Sequence, residues 1–460
     1  MIETTREWAI RQWATVKLGD ERLSQRAVVI GMQMAMQSAA SLPVQMQKPA
    51  PLKGAYRLLN HPGVSLEALT APHRQQTLAV AQESGLVLFV EDTTELDFTA
   101  HGSTEGLGPI GDGRGRGLLL HSTLAVEPSL RQLLGLAHAQ VVLREPRSKH
   151  PGKHWVRSPE GRVWDASAQT VGRAPAGVCW VHISDAGGDV FEYLATCRGL
   201  GKEFLVRAHY DRRLAEVAGE PVDDLGLLAH VRSLEPQPDS AYTITVPAHR
   251  QQPERQAVIA LQWCEVLVQA PTWAPKAIRE RGPLRLSVVR CWEADPPPTV
   301  EAVEWVLLSS LPVQTLAEAR QRVAWYTCRW LCEDYHQCLK TGCRIEHTQL
   351  DDGADIQRLL GFAIPIAVRL LQMRQQARQA PDAPASSHVD PLTLRILAHK
   401  TNQPAASMSM AQFWRLVARL GGHQGRKGDG PPGWRSLWHG WRYLSDLVDG
   451  ARLVATLDST

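Results

Sequence analysis

The chain has no CxxC pair, no long uninterrupted apolar run and no block of like charge, and each absence removes a class of protein. Eight cysteines are scattered at Cys179, Cys197, Cys264, Cys291, Cys328, Cys332, Cys338 and Cys343. Lacking paired spacing and the density of a disulfide scaffold, they read as reduced thiols. Four of them fall within 328–343, where a zinc site is one reading and small buried side chains the other. The longest apolar stretch, Leu359–Leu371, is interrupted by Gly361, Pro365 and Arg369 and is too short to span a bilayer. The opening residues MIETTREWAI are acidic and carry no apolar core segment, so no secretory signal and no membrane partner are expected. A soluble, cytoplasmic protein follows from these two points. Internal repeats and low-complexity tracts are also missing.

Charge of one sign is lacking as well. Lys and Arg number 50 against 47 Asp and Glu, a net charge of +3 that neither demands nor excludes a polyanionic partner. Hydrophobic residues at 44% and charged residues at 21% give a globular balance, far from the profile of disorder. At 460 residues, more than one folding unit is expected, each able to bury a core.

Residues 1–70 have helical patterning with Arg22, Arg26, Lys48, Lys53 and Arg57 spread through it, and they read as a small helical domain. From Leu86 the pattern changes. LVLFVED is an apolar run ending in acids, which reads as a buried strand that presents Asp92 at its carboxyl end. LLLHSTLAV (118–126) and RQLLGLAHAQVVL (131–143) continue it as an antiparallel meander. After a polar stretch (144–165), VCWVHISDAGGDVFEYL repeats the theme, since a second apolar strand delivers Asp185 before Gly187 and Gly188 turn the chain into a helix. EFLVRAHY (203–210) is a further strand, residues 212–300 form an all-β excursion, and EWVLLSS (304–310) returns to the core. Helical periodicity then runs from Leu316 to about Gln379, with a turn near Thr341–Gly342 and another at Asp351–Gly353. PDAPASSHVD (381–390) reads as a linker, and a helical tail with Trp414, Trp434, Trp438 and Trp441 follows.

The sharpest signal is YTCRWLCEDYHQCLK (326–340). Wound as one α-helix, it places Tyr326, Arg329, Glu333 and Lys340 within a wedge of roughly 60°, while Cys328, Cys332 and Cys343 fall elsewhere. A solvated helical face with an Arg329–Glu333 pair would produce the same wedge. Asp92 and Asp185 alter the balance. Three acids delivered by two strands and a late helix suit hard divalent cations, which take oxygen ligands and complete their shells with water and phosphate. Two such ions can activate an attacking hydroxyl and stabilise the leaving oxygen of a phosphodiester.

With these residues the chain resembles the cut-and-paste DDE transposases of bacterial insertion sequences, specifically the IS-four family and its Tn-five branch. The match runs through LGDERLSQRA (18–27), KGAYRLLNHPGVS (53–65), VEDTTELDF (90–98), ISDAGGDVFEYL (183–194), the Tyr-x2-Arg-x3-Glu-x6-Lys signature at 326–340 and WRSLWHGWRYL (434–444). The resemblance implies an α/β fold with a ribonuclease-H-like core, a mixed sheet flanked by helices. That core spans 71–380 with a β insertion at about 212–300, between a helical DNA-binding domain (1–70) and a helical dimerisation domain (381–460). It further implies that Asp92, Asp185 and Glu333 are catalytic and bind two Mg²⁺, with Mn²⁺ as a substitute. By the same resemblance Tyr326, Arg329 and Lys340 contact phosphates near the cut, Trp305 stacks on a flipped base, and Arg207 lies near the hairpin. Arg22, Arg26 and Arg57 would contact the transposon ends. The implied partners are double-stranded DNA, as terminal inverted repeats and as target, and a second copy of the chain, with the protein at the nucleoid when DNA-bound.

Some features stand apart. GDGRGRG (111–117) superficially resembles a phosphate loop but neither follows a strand closely nor opens a helix, so no nucleotide site is expected. His347 and the cysteine cluster have no assigned role, and the tail tryptophans suit either a dimer face or an intramolecular core. The alternative function is a catalytically silent end-binding relative that represses transposition. A carboxylate hydrolase of some other substrate would leave Tyr326, Arg329 and Lys340 unexplained.

Overall fold

A computed structural model describes residues 3–145, 159–246, 254–298, 300–378, 380–426 and 429–457. Five helices open the chain: Thr5–Trp13, Glu21–Met36, Leu42–Met46, Pro49–Leu59 and Leu66–Glu83. Their starts are written locally. Thr4 and Glu7 form a reciprocal capping box, Asp20 and Ser65 cap the second and fifth helices, and Pro43 and Pro49 sit in first turns where no N–H is needed. The helical segment therefore continues to Glu83, past residue 70.

Twelve strands among the described residues form one sheet: β1 (Leu86–Asp97), β2 (Gly108–Ile110), β3 (Gly115–Glu127), β4 (Gln132–Val142), β5 (Cys179–Ser184), β6 (Glu203–Arg207), β7 (Leu214–Val217), β8 (Glu220–Pro221), β9 (Tyr242–Val246), β10 (Arg255–Val268), β11 (Leu284–Glu293) and β12 (Glu304–Ser309). The order is β2-β3-β1-β5-β6-β12-β11-β10-β7-β8, with β4 on β3 and β9 on β10. β1, β3 and β4 make the expected antiparallel meander, whereas β5 and β6 run parallel to β1.

Several expectations need correction. Residues 212–300 are not all β, because helices Leu227–Ser233 and Lys276–Arg279 lie among them, and their strands extend the main sheet through β12. The polar stretch 144–165 falls partly outside the described residues, and a helix, Pro159–Val171, begins within it. GDGRGRG does follow a strand closely. It turns β2 into β3, with Gly111 and Gly113 at positive φ, and opens no helix. The segment 381–390 is no free linker, since Ala385 is fully buried and Pro384 bridges Ser409.

The long helix Gly353–Gln376 passes through Gly361, Pro365 and Arg369 without a break. It is long and apolar enough to cross a membrane by length and composition, but it is the buried centre of the fold, and 83% of its most apolar window is covered. Arg369 is accommodated by stacking its guanidinium over Trp8 and donating to the Glu3 carbonyl at 2.8 Å. The N-terminal helices also grip this helix through Asn60 to Asp355 at 2.6 Å and Arg358 to the carbonyls of Leu59 and Val64.

In the tail, Trp414, Trp438 and Trp441 are buried in the chain's own core, with Trp414 and Trp441 5.8 Å apart. Helices Met410–Leu420 and Trp434–Leu457 meet there at glycine. A Cβ on Gly440 would stand 1.7 Å from the Val417 carbonyl oxygen. Gly440→Ala should force these helices apart at a cost of about 1–3 kcal/mol, read as a lower thermal midpoint. An unchanged midpoint would mean that the two backbones do not approach this closely.

Candidate metal centre

β1 is pleated, so consecutive residues face opposite sides of the sheet. Leu88, Val90 and Asp92 point toward the side covered by helices Trp330–Gln337 and Gly353–Gln376, and the Cys332 thiol packs against the Val90 carbonyl. Asp92 is not at the end of its strand, as the apolar run had implied, but midway along it. The parallel pairing of β1 with β5 sets Glu91 beside Ser184, which carries Asp185 alongside Asp92 at the end of β5. Asp185 caps the short turn Ala186–Gly188, its Oδ1 accepting from the Gly187 N–H at 2.9 Å. Glycine is required at 188, where a Cβ would fall 2.0 Å from the Ser184 hydroxyl oxygen.

The signature segment is not one helix. Leu316–Thr327 ends before Arg329, a second helix runs Trp330–Gln337, and Cys338–Gly342 winds into a wider π turn. Arg329 lies at the junction of the two helices with helical backbone angles. Its Nη1 donates to Asp92 Oδ2 at 3.0 Å and to Glu333 Oε1 at 3.4 Å, bridging two acids far apart in the sequence. Carboxylate oxygens of Asp92 and Glu333 and a ring nitrogen of His336 all lie within 4.8 Å of one another. Asp185 is outside that group, although its charge is felt at Asp92.

Burial pushes the Asp92 carboxyl up to about 7, with the negative charges of Asp185 and Glu333 adding to the shift and Arg329 opposing it. Burial also pushes the His336 imidazole down to about 3, so the ring is neutral at physiological pH. Tyr326, at the end of its helix, is 3% exposed and packs edge-on against Trp305 of β12 with ring centroids 5.0 Å apart. Its hydroxyl lies within electrostatic reach of Arg329, Arg207 and Asp185, and burial raises it. Arg207, exposed at the end of β6, donates to the Glu304 carbonyl at 3.4 Å. Lys340 reaches the far end of β1, where its Nζ pairs with Glu346 at 3.3 Å and donates to the Glu95 carbonyl.

Arg22, Arg26 and Arg57 are not brought to the acids. Arg22 and Arg26 lie on helix Glu21–Met36 and Arg57 on Pro49–Leu59, which pack together, with Arg26 running across Gly54. His347 lines a cavity of about 460 Å³ with Lys340, Arg344, Arg435, His439 and Trp434. The four cysteines from 328 to 343 are free and lie on the packed side.

Sequence reasoning missed two elements. One is His336, which the Glu-x2-His spacing could have flagged. The other lies behind β1, where Glu91 is fully buried and accepts from the Tyr193 hydroxyl at 2.9 Å, beside His182 and with His121 at 3.3 Å. Despite burial, which acts to raise it, the two imidazoles hold Glu91 well below the usual carboxylate range. Lys202 closes the cluster 3.1 Å from His182 and is pushed down to about 8 by burial. Histidines inside the apolar runs LLLHSTLAV and VCWVHIS were the available signal.

Among family models, residues 5–64 match the one described as Transposase DNA-binding, and residues 365–460 match Transposase Tn5 dimerisation domain.

The Asp92 shift predicts a pH dependence. Its folded pKa of about 7 exceeds the ordinary 3.8, so between these values the folded chain holds a proton that the unfolded chain has released. In EDTA, stability from this group should be full below about pH 4 and fall by a few kcal/mol, on the order of 1.4 per pH unit, as pH rises to about 7. Denaturant titrations across that range should show the decline flattened in Asp92→Asn; an equal decline in both chains would contradict the assignment.

Proposed function

We propose, on the premise that this chain belongs to the Tn5-type transposases, that Asp92, Asp185 and Glu333 hold two divalent ions, Mg²⁺ or Mn²⁺ in its place, at the centre that cuts and joins DNA. As a member of that group the chain binds DNA and pairs with a second copy, residues 5–64 matching the DNA-binding model and residues 365–460 the dimerisation model. DNA cleavage and joining is the activity such domains serve.

The observation that carries the proposal is the guanidinium of Arg329 seated between Asp92 and Glu333. Acids from a mid-sheet strand and a late helix converge on a point that already takes a cation, and their oxygen donors fit Mg²⁺. The sheet order supports a ribonuclease-H-like core: β1 lies inside the sheet, antiparallel to β3 on one side and parallel to β5 on the other. When bound, the ions supply activation of the attacking oxygen and stabilisation of the leaving oxygen in an in-line displacement.

The chain's own groups do the rest. Arg329 and Lys340 bind phosphate oxygens beside the cut, Arg329 exchanging its carboxylate partners for phosphate in a fork geometry that lysine could not reproduce. Tyr326, locked against Trp305, orients a further phosphate. Trp305 offers a face for stacking an unpaired base in a hairpin step, and Arg207 neutralises the backbone next to it. Arg22, Arg26 and Arg57 position the terminal inverted repeats through phosphate contacts.

Glu333→Ala should abolish Mg²⁺-dependent cleavage of cognate ends while leaving their binding largely intact in gel-shift assays; retained cleavage would remove Glu333 from the centre. Ca²⁺ in place of Mg²⁺ should permit end binding without cutting. Lys340→Ala should weaken end complexes and reduce the slope of log affinity against log salt by about 0.9, one phosphate contact. An unchanged slope would mean that Lys340 touches no phosphate.

A further inference from the structure

We propose that His336 supplies a nitrogen donor to the ion held by Asp92 and Glu333, making that position a mixed nitrogen and oxygen site. The inference rests on the reading of these acids as metal ligands and adds to it a residue and a metal preference. Glu333 and His336 are three residues apart on helix Trp330–Gln337, so both side chains leave the same face toward β1. A ring nitrogen of His336 and carboxylate oxygens of Asp92 and Glu333 lie within 4.8 Å of one another, a spacing that one ion can bridge with small side-chain rotations.

His336 differs from its carboxylate neighbours in burial. It is 5% exposed, and its Nε2 is buried without a hydrogen-bond partner among the described residues. A polar nitrogen in that state is destabilising unless something binds it. Packing alone would be served by an apolar side chain of the same volume beside Tyr335, whose ring lies 5.3 Å away. A Glu-x2-His pair projecting from one helix is also how inward-facing helices build carboxylate-bridged iron and manganese sites. Imidazole suits transition ions, whereas Mg²⁺ keeps oxygen ligands and water. His336 should therefore tilt the site toward Mn²⁺ over Mg²⁺.

The test uses the full chain with MnCl₂ alone. Pulsed electron paramagnetic resonance of bound Mn²⁺ should show coupling to a nitrogen that changes when histidine alone is isotopically labelled, a measurement needing no substitution. In His336→Gln the coupling should vanish and the dissociation constant for Mn²⁺ should rise at least about tenfold, the lower end of what losing even an outer partner costs, with a smaller change for Mg²⁺. Mn²⁺ that binds, is lost in Glu333→Ala, and shows no histidine coupling overturns this inference and leaves the acid centre standing. If wild-type chain binds no Mn²⁺, or Glu333→Ala binds it unchanged, the acid centre fails and His336 falls with it.

Discussion

Asp92, Asp185 and Glu333 bring like charges together in a cleft where Asp92 is largely shielded from water. Two such charges about 4 Å apart repel by about 4 kcal/mol at the effective dielectric of a protein surface, well above the 0–1 kcal/mol that an exposed ion pair returns. The convergence is therefore tenable only with positive charge inside it or with a carboxyl proton retained. Both remedies are present. Arg329 places its guanidinium between Asp92 and Glu333, and Asp92 holds its proton up to about 7. Arg329 stands one helical turn before Glu333, at the junction of two helices, and reaches across to Asp92 on β1.

β1 supports the cleft from both sides. One face carries Asp92 under the Glu333 helix, and the other carries Glu91 into a buried set of hydrogen bonds with His121, His182 and Tyr193. The helices covering that rear face, Pro159–Val171 and Phe191–Gly199, contribute Trp164 against His121 and Tyr193 against Glu91. A buried carboxylate with this many partners fixes the strand laterally as well as in depth, which holds the Asp92 side chain at a constant height above the sheet.

Much of this was legible in the sequence, and for definite reasons. Apolar runs ending in acid located β1 and β5, and the turn chemistry of Gly187 and Gly188 located the bend after Asp185. Periodicity placed Glu333 on a helix but could not see the break at Arg329, because no proline, glycine or capping side chain marks it and the two helices share nearly the same phase. The turn expected near Thr341–Gly342 is there, wound as a π turn over Cys338–Gly342. Helical periodicity carried across Pro365, whose missing N–H is tolerated in a helix packed on all sides. The segment 381–390 has linker composition, yet its small residues serve close packing at Ala385, which composition alone does not distinguish from flexibility. His336 escaped notice because burial, the property that makes it unusual, is not written in residue spacing.

The adjacency of Glu91 and Asp92 has one more consequence. In most half-buried strands a shift of pairing by one residue exposes an apolar side and is rejected on that ground. Here a shift one way would bring Asp92 to the imidazoles but Thr93 to the cleft, and a shift the other way would bring Glu91 to the cleft but Val90 to the imidazoles, so only the native frame fills both acid positions. The same frame sets Phe89 against Trp180 and Val90 beneath Cys332. Aromatic and aliphatic packing two residues away from the acids thus favours the one register that seats both of them.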